Sequence, residues 1–166
     1  SRCEDHEMGA SHPESPARLR SINKMVSGTD WGGMLSFVDA PLLDIAELAS
    51  VHPSHHVDAI LERNPEEGLA YLDADTAINP YSIDAALHAA GAGILATDMV
   101  LAGEAQNAFC AVRPPGHHAE SSVSMGFCVF NSVALAVERA LASGLSRVAV
   151  LDFDVHHGNG TVEIFQ

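Results

Sequence analysis

The feature that most constrains this chain is an apolar run, Arg147 to Leu151, that stops abruptly in Asp152-Phe-Asp-Val-His-His-Gly-Asn-Gly160. A Val-rich run without polar alternation reads as a strand buried on both faces, and such strands belong to parallel sheets covered by helices. Ala108 to Val112 is a second run of this kind, and Met34 to Val38 reads as a third short strand. Helical patterns separate them. Ser15-Pro16 opens a helix with Leu19, Ile22, Met25 and Val26 at helical spacing, ended by Gly28. Pro53-Ser54 opens a short one with Val57, Ile60 and Leu61 on one face, an Ala-rich helix runs from about Pro80 to Leu101 and is capped by Gly103, and an amphipathic helix spans Asn131 to Ser143 and ends at Gly144. Residues Asn64 to Asn79, with Pro65, Gly68 and four acids, read as loop. The predicted fold class is α/β, a mostly parallel sheet flanked by helices, with right-handed crossovers. In such sheets ligands bind beyond the carboxyl ends of the strands. That places the expected chemistry in two loops, Arg113 to Met125 and Asp152 to Gly160.

Composition narrows the partners. At 166 residues and 47% hydrophobic, the chain reads as one domain, 1–166, with a sizeable core. Eight basic against 22 acidic side chains give a net charge of −14. This argues against direct nucleic acid binding, which needs clustered Lys and Arg, and favours a cationic substrate or partner. No stretch reaches the roughly 18 to 20 unbroken apolar residues of a membrane span, so no membrane partner is expected. Three widely spaced cysteines and an acidic start without targeting features fit a reducing, cytoplasmic setting. A homo-oligomer is compatible with all of this. The chain lacks an initiator Met and stops shortly after a helix opens, so it is expected to be part of something longer.

In the loop after Leu151, extended backbone would send Asp152, Asp154 and His156 to one side while Phe153 and Val155 pack away from it. Carboxylate and imidazole donors suit Zn²⁺, with Fe²⁺ as the alternative. The competing reading makes Asp152 and Asp154 caps of the following helix. A second metal ion would need a carboxylate two residues after His156, where Gly158 stands, so one ion is expected. Pro114-Pro-Gly-His-His-Ala-Glu120 is the second signal, a stiffened approach to His117 and His118. Histidines suit the transfer of a proton from a metal-activated water to a leaving amine, and Asp152 is placed to orient one of them. The pair His55-His56, with no carboxylate motif or glycine loop around it, reads as a polar step or a satisfied core residue.

Taken together, Arg113-Pro-Pro-Gly-His-His-Ala-Glu120, Gly126-Phe-Cys-Val-Phe-Asn131, Asp152-Phe-Asp-Val-His-His-Gly-Asn-Gly-Thr161 and the earlier His12-Pro-Glu-Ser-Pro-Ala-Arg-Leu19 resemble the histone deacetylase family, closer to its class II and bacterial deacetylase-like or acetylpolyamine amidohydrolase branch. The resemblance implies the arginase/deacetylase fold and zinc-dependent hydrolysis of N-acetyl amides, in acetyl-lysine proteins or acetylated polyamines. It implies Asp154 and His156 as two of three metal ligands, His118 as general base and acid, and His117 partnered by Asp152. Asn159 would stand beside His118, Gly126 and Phe127 would wall the acyl-lysine channel, and Arg18 would lie near a cavity behind the metal. Backbone carbonyls around Asp152, Asp154 and His156 would form a K⁺ site. The third ligand, an aspartate, and an oxyanion-binding tyrosine belong to the second half of the family domain. The chain is therefore expected to be its N-terminal part, a poor or inactive enzyme alone. The alternative is a truncated, non-catalytic fragment that binds metal or a partner.

Overall fold

A 20-residue helix rich in alanine, Ser82–Leu101, is the axis on which the molecule is built. Alanine loses no side-chain entropy in a helix and leaves neighbours free to approach closely. The protein is described by a computed structural model covering residues 2–31 and 33–166. We label its helices α1 (Pro16–Gly28), α2 (Ser54–Glu62), α3 (Ser82–Leu101), α4 (Ser132–Ala142) and α5 (Asn159–Phe165), with short 3-10 turns at Arg2–Glu4 and Ile45–Ser50. Helix α3 packs along α4, bringing Ala86, Leu87 and Ala90 into one core with Ala134, Leu135 and Val129. Arg139 closes the far end with a two-pronged ion pair to Asp98, at 2.7 and 2.8 Å. Asn131 caps α4 by accepting the Ala134 N–H at 2.9 Å. Among the described residues α3 is long and apolar enough by composition to cross a membrane. Its buried face against α4 and its Asp84, His88 and Asp98 mark it instead as a core helix.

The helices predicted from the sequence are present, with ends shifted by one to two residues. The sheet is not. The strands among the described residues are β1 (Ala70–Tyr71) and β2 (Ala77–Ile78), paired antiparallel across a turn in which Asp73 Oδ1 accepts the N–H groups of Asp75 and Thr76. This hairpin lies in the segment read as loop, because two-residue strands are too short to show a period. The three expected strands, 34–38, 108–112 and 147–151, are assigned to no strand. Residues 35–42, 106–112 and 146–156 make no backbone–backbone hydrogen bond among the described residues. A strand exists by its ladder, and here none forms. Nor is the 147–151 run buried: Leu151 is 88% exposed, and Phe153 and Val155, expected to pack on the side away from Asp152, Asp154 and His156, are each 92% exposed. An apolar run signals the need for cover, and does not itself supply the neighbours.

Helix α2 carries a buried histidine whose Nε2 has no hydrogen-bond partner among the described residues, His56. Burial first, then the neighbouring His52 and His55, lower its pKa to about 4. The unfolded chain therefore binds a proton below about pH 6.5 that the folded chain refuses until about pH 4. Stability is full above that window and falls as the pH drops through it. Urea midpoints measured across it are expected to decline, and His56→Phe to flatten that part of the profile. An unchanged slope in the variant would contradict this.

Candidate active site

Helix α5 is short, but its N-terminal turn grips the loop that carries the paired histidines. The N–H groups of Gly160 and Thr161 both donate to the His117 carbonyl, at 3.0 and 3.2 Å. Glu163, one turn on from Asn159, takes the Ser121 N–H and hydroxyl on its two carboxylate oxygens, each at 2.8 Å. Contact is so close that a Cβ at Gly160 would lie 2.2 Å from the Ala119 carbonyl oxygen. We therefore expect Gly160→Ala to push α5 off the loop and cost about 1–3 kcal/mol. Faster hydrogen exchange at the Thr161 amide would report it, and wild-type protection there would refute the docking.

With the loop held, the two histidines lie side by side, ring centroids 4.1 Å apart. His117 Nδ1 meets Asp152 Oδ2 at 2.7 Å. A carboxylate only accepts, so Nδ1 carries a proton, and in the neutral ring Nε2 is then bare. This bond and the Asp154 N–H hold the Asp152 carboxyl below its usual range. His118 Nδ1 meets Asn159 Oδ1 at 2.6 Å; with the amide oxygen as acceptor, Nδ1 carries the proton and the neutral ring leaves Nε2 bare. The His118 backbone N–H points to the Cys128 sulfur at 3.5 Å, and burial pushes that thiol up to about 12, out of reach of ordinary oxidation or metal binding.

The Asp154 and His156 side chains meet directly: Asp154 Oδ2 is 2.9 Å from His156 Nδ1 and also accepts the His156 N–H at 2.8 Å. These two bonds lower the Asp154 pKa. The His156 ring lies 5.9 Å from that of His118, so this pair and the histidine loop share one surface. Neither Asp152 nor Asp154 caps α5, whose N-cap is Gly158 without a side-chain bond. An oxygen and a nitrogen donor at this separation fit a metal such as zinc in type, yet they are two. No group of three or more His, Cys, Asp or Glu able to hold an ion occurs among the described residues.

Gly126 and Phe127 cross the other side of His118. Gly126 has φ +56°, and a Cβ there would fall 2.4 Å from the His118 ring. Phe127 takes the left-handed region at φ +69°, which costs a side-chain-bearing residue about 1–3 kcal/mol. Its N–H is held by the buried Thr76 hydroxyl at 3.0 Å, and its ring meets His12 edge-on at 4.6 Å. Arg18, expected at a cavity behind the site, is instead 61% exposed and pairs loosely with Glu14 at 3.6 Å. The buried arginine is Arg113.

Sequence reasoning passed over several residues that assemble this surface. His52 is fully buried, with Nδ1 donating to the Ser121 carbonyl at 3.1 Å and Nε2 accepting the Asn131 N–H at 3.0 Å. Burial lowers its pKa and keeps it a neutral crosslink. Asn131 reaches on to the Ala119 carbonyl at 3.0 Å. The i, i+4 spacing of Asn159 and Glu163 was the one available signal, since it puts both on one helix face.

Residues 12–166 match the histone deacetylase domain family. The chain is 42% identical over 157 residues to the histone deacetylase-like amidohydrolase of Pseudomonas aeruginosa, covering 94% of this chain and 41% of that protein. It is 43% identical to histone deacetylase 15 of Arabidopsis thaliana, covering 93% of this chain and 28% of that protein. The crystal structure of the HDA15 HD domain superimposes with a TM-score of 0.90 at 40% identity, over 99% of this chain and 48% of that one. The chain thus spans less than half the length of these relatives.

Proposed function

The chain belongs to the histone deacetylase domain family, and from that premise we propose that it carries the histidine-bearing part of a site that hydrolyses N-acetyl amides to acetate and free amine. The observation that carries this reading is the pair of adjacent imidazoles, each with Nδ1 tied to a fixed oxygen and Nε2 bare. In this proposal His118 takes the proton of the attacking water at Nε2 and returns it to the departing amine. His117, buttressed by the Asp152 carboxylate, stabilises the charge that develops on the amide oxygen. Gly126 and Phe127 flank the acyl-lysine stem. Asp154 and His156 would hold a zinc ion, or Fe²⁺, which when bound supplies carbonyl polarisation and an acidified water. The carbonyls of Asp152, Asp154 and His156 accept no backbone hydrogen bond among the described residues, which suits a K⁺ site. The charge of −14 supports a cationic substrate, an acetyl-lysine protein tail or an acetylated polyamine. Three free cysteines support a cytoplasmic setting.

A second reading is favoured by the count of two ligand side chains: metal or partner binding without turnover. The test loads the 166-residue chain with zinc, counts bound ions, and assays acetyl-lysine peptide and acetylated polyamine. One ion lost in Asp154→Ala, with slow turnover lost in His118→Ala, supports the proposal. One ion with no turnover favours the second reading, and two ions would overturn the single-metal site.

A further inference from the structure

In their neutral forms both histidines have a bare Nε2, but they reach that state differently. His117 faces a carboxylate, which can only accept. His118 faces an amide, which can present either end. If the Asn159 carboxamide turned over, its NH₂ would donate to His118 Nδ1, the ring proton would move to Nε2, and that nitrogen could no longer accept one. Something must hold the amide in one orientation, and the atom that does so is in the structure. Asn159 Nδ2 donates to Glu120 Oε1 at 2.9 Å, while its other neighbours, the His118 carbonyl and the Met125 sulfur, are both at 3.5 Å. An ionised Glu120 has no proton to give, so it tolerates only the NH₂ end. Glu120 is fixed in turn: its N–H donates to the Val123 carbonyl at 2.9 Å, and the next residue, Ser121, is held by Glu163 from the same helix that carries Asn159.

We propose that Glu120 is a positioning residue that locks the Asn159 amide and thereby keeps the proton of His118 on Nδ1. Its catalytic meaning rests on the reading of His118 as the base, but the proton's place is measurable without turnover. In a chain labelled with ¹⁵N at histidine, two-bond proton–nitrogen correlation distinguishes a bare ring nitrogen from a protonated one. Spectra at about pH 8.5, roughly two units above an ordinary imidazole pKa, observe the neutral rings. The wild-type chain is expected to show a bare Nε2 at both His117 and His118. Glu120→Leu removes the acceptor, and the His118 Nε2 signal is expected to move to the protonated position while His117, tied to Asp152, stays put. Glu120→Gln keeps an acceptor oxygen and should resemble wild type. Where Glu120→Leu perturbs folding, Glu120→Ala removes the same acceptor with a smaller side chain and should shift His118 alike; the double variant Glu120→Leu/Asn159→Asp restores an acceptor-only group against His118 and should return its Nε2 to the bare state. A His118 tautomer unchanged by Glu120→Leu, or not restored in the double variant, overturns the proposal. Loss of acetyl-amide turnover with the tautomers as expected would fault the deacetylase reading and leave the lock standing.

Discussion

Arg113→Met is expected to lower folding stability by about 3–5 kcal/mol, the ordinary cost of stranding one partner of a buried ion pair. Arg113 is 3% and Glu14 2% exposed. The guanidinium donates to both Glu14 oxygens at 2.5 and 2.6 Å, and its remaining N–H groups reach the Cys3 and His6 carbonyls at 2.9 and 3.0 Å. Remove it and a carboxylate is left buried with only His6 Nε2 at 3.4 Å and the exposed Arg18 nearby. At this chain length that loss corresponds to a melting temperature lower by about 6–20 °C. The pH dependence gives a second handle. Burial alone would raise the Glu14 carboxyl, but His6 and Arg113 outweigh it and bring it down to about 2. The pair's contribution is therefore complete above about pH 4.5 and fades as the pH falls toward 2. Arg113→Met should lose that acid-sensitive part of the profile. A destabilisation under about 1 kcal/mol would show that the pair is solvated in practice.

The second large effect is on turnover. In a preparation that hydrolyses an acetylated substrate, His118→Ala is expected to lower kcat by about 10²–10⁴-fold with KM little changed, because a general base acts on the transition state more than on bound substrate. His118→Asn keeps polarity without a basic nitrogen and should fail equally. A drop in kcat/KM that comes wholly from KM would move His118 from the chemistry to substrate binding.

Much of this surface was legible because its chemistry is packed into short stretches. His117 and His118 are adjacent, and Asp152, Asp154 and His156 fall on alternate residues, so the spacing alone brings them near one another. The helices were legible for a similar reason: Pro16, Asn131, Gly103 and Gly144 punctuate them locally. Glu120, His52 and Arg113 were not, since their roles depend on partners 39, 69 to 79 and 99 residues distant, which no local pattern encodes. The likeness to the HDA15 HD domain supports the α/β fold, whereas the parallel sheet itself is not seen among the described residues. The runs at 108–112 and 147–151 have strand character, but pairing is a property of neighbours, and residues such as Phe109 and Leu151 stay 76% and 88% exposed. Arg18 and Arg113 show the same limit in one pair: both stand in motifs that carry the family likeness, yet the first lies in solvent and the second is buried.

The grip of α5 on the histidine loop also sets an order of assembly. The bonds that tie His117 and His118 to Asp152, Asn159, Gly160 and Thr161, and the brace from Glu163 to Ser121, span 35 to 44 positions along the chain. Closing a segment of that length costs on the order of 3 kcal/mol before any contact repays it. During synthesis α1, α2 and α3 can settle as they emerge, while the two imidazoles lack these partners until residues 152–163 have left the ribosome. The directed geometry of the two imidazoles thus waits on residues 152–163, and a product stopped short of Asn159 would have its histidines without the partners that give them a direction.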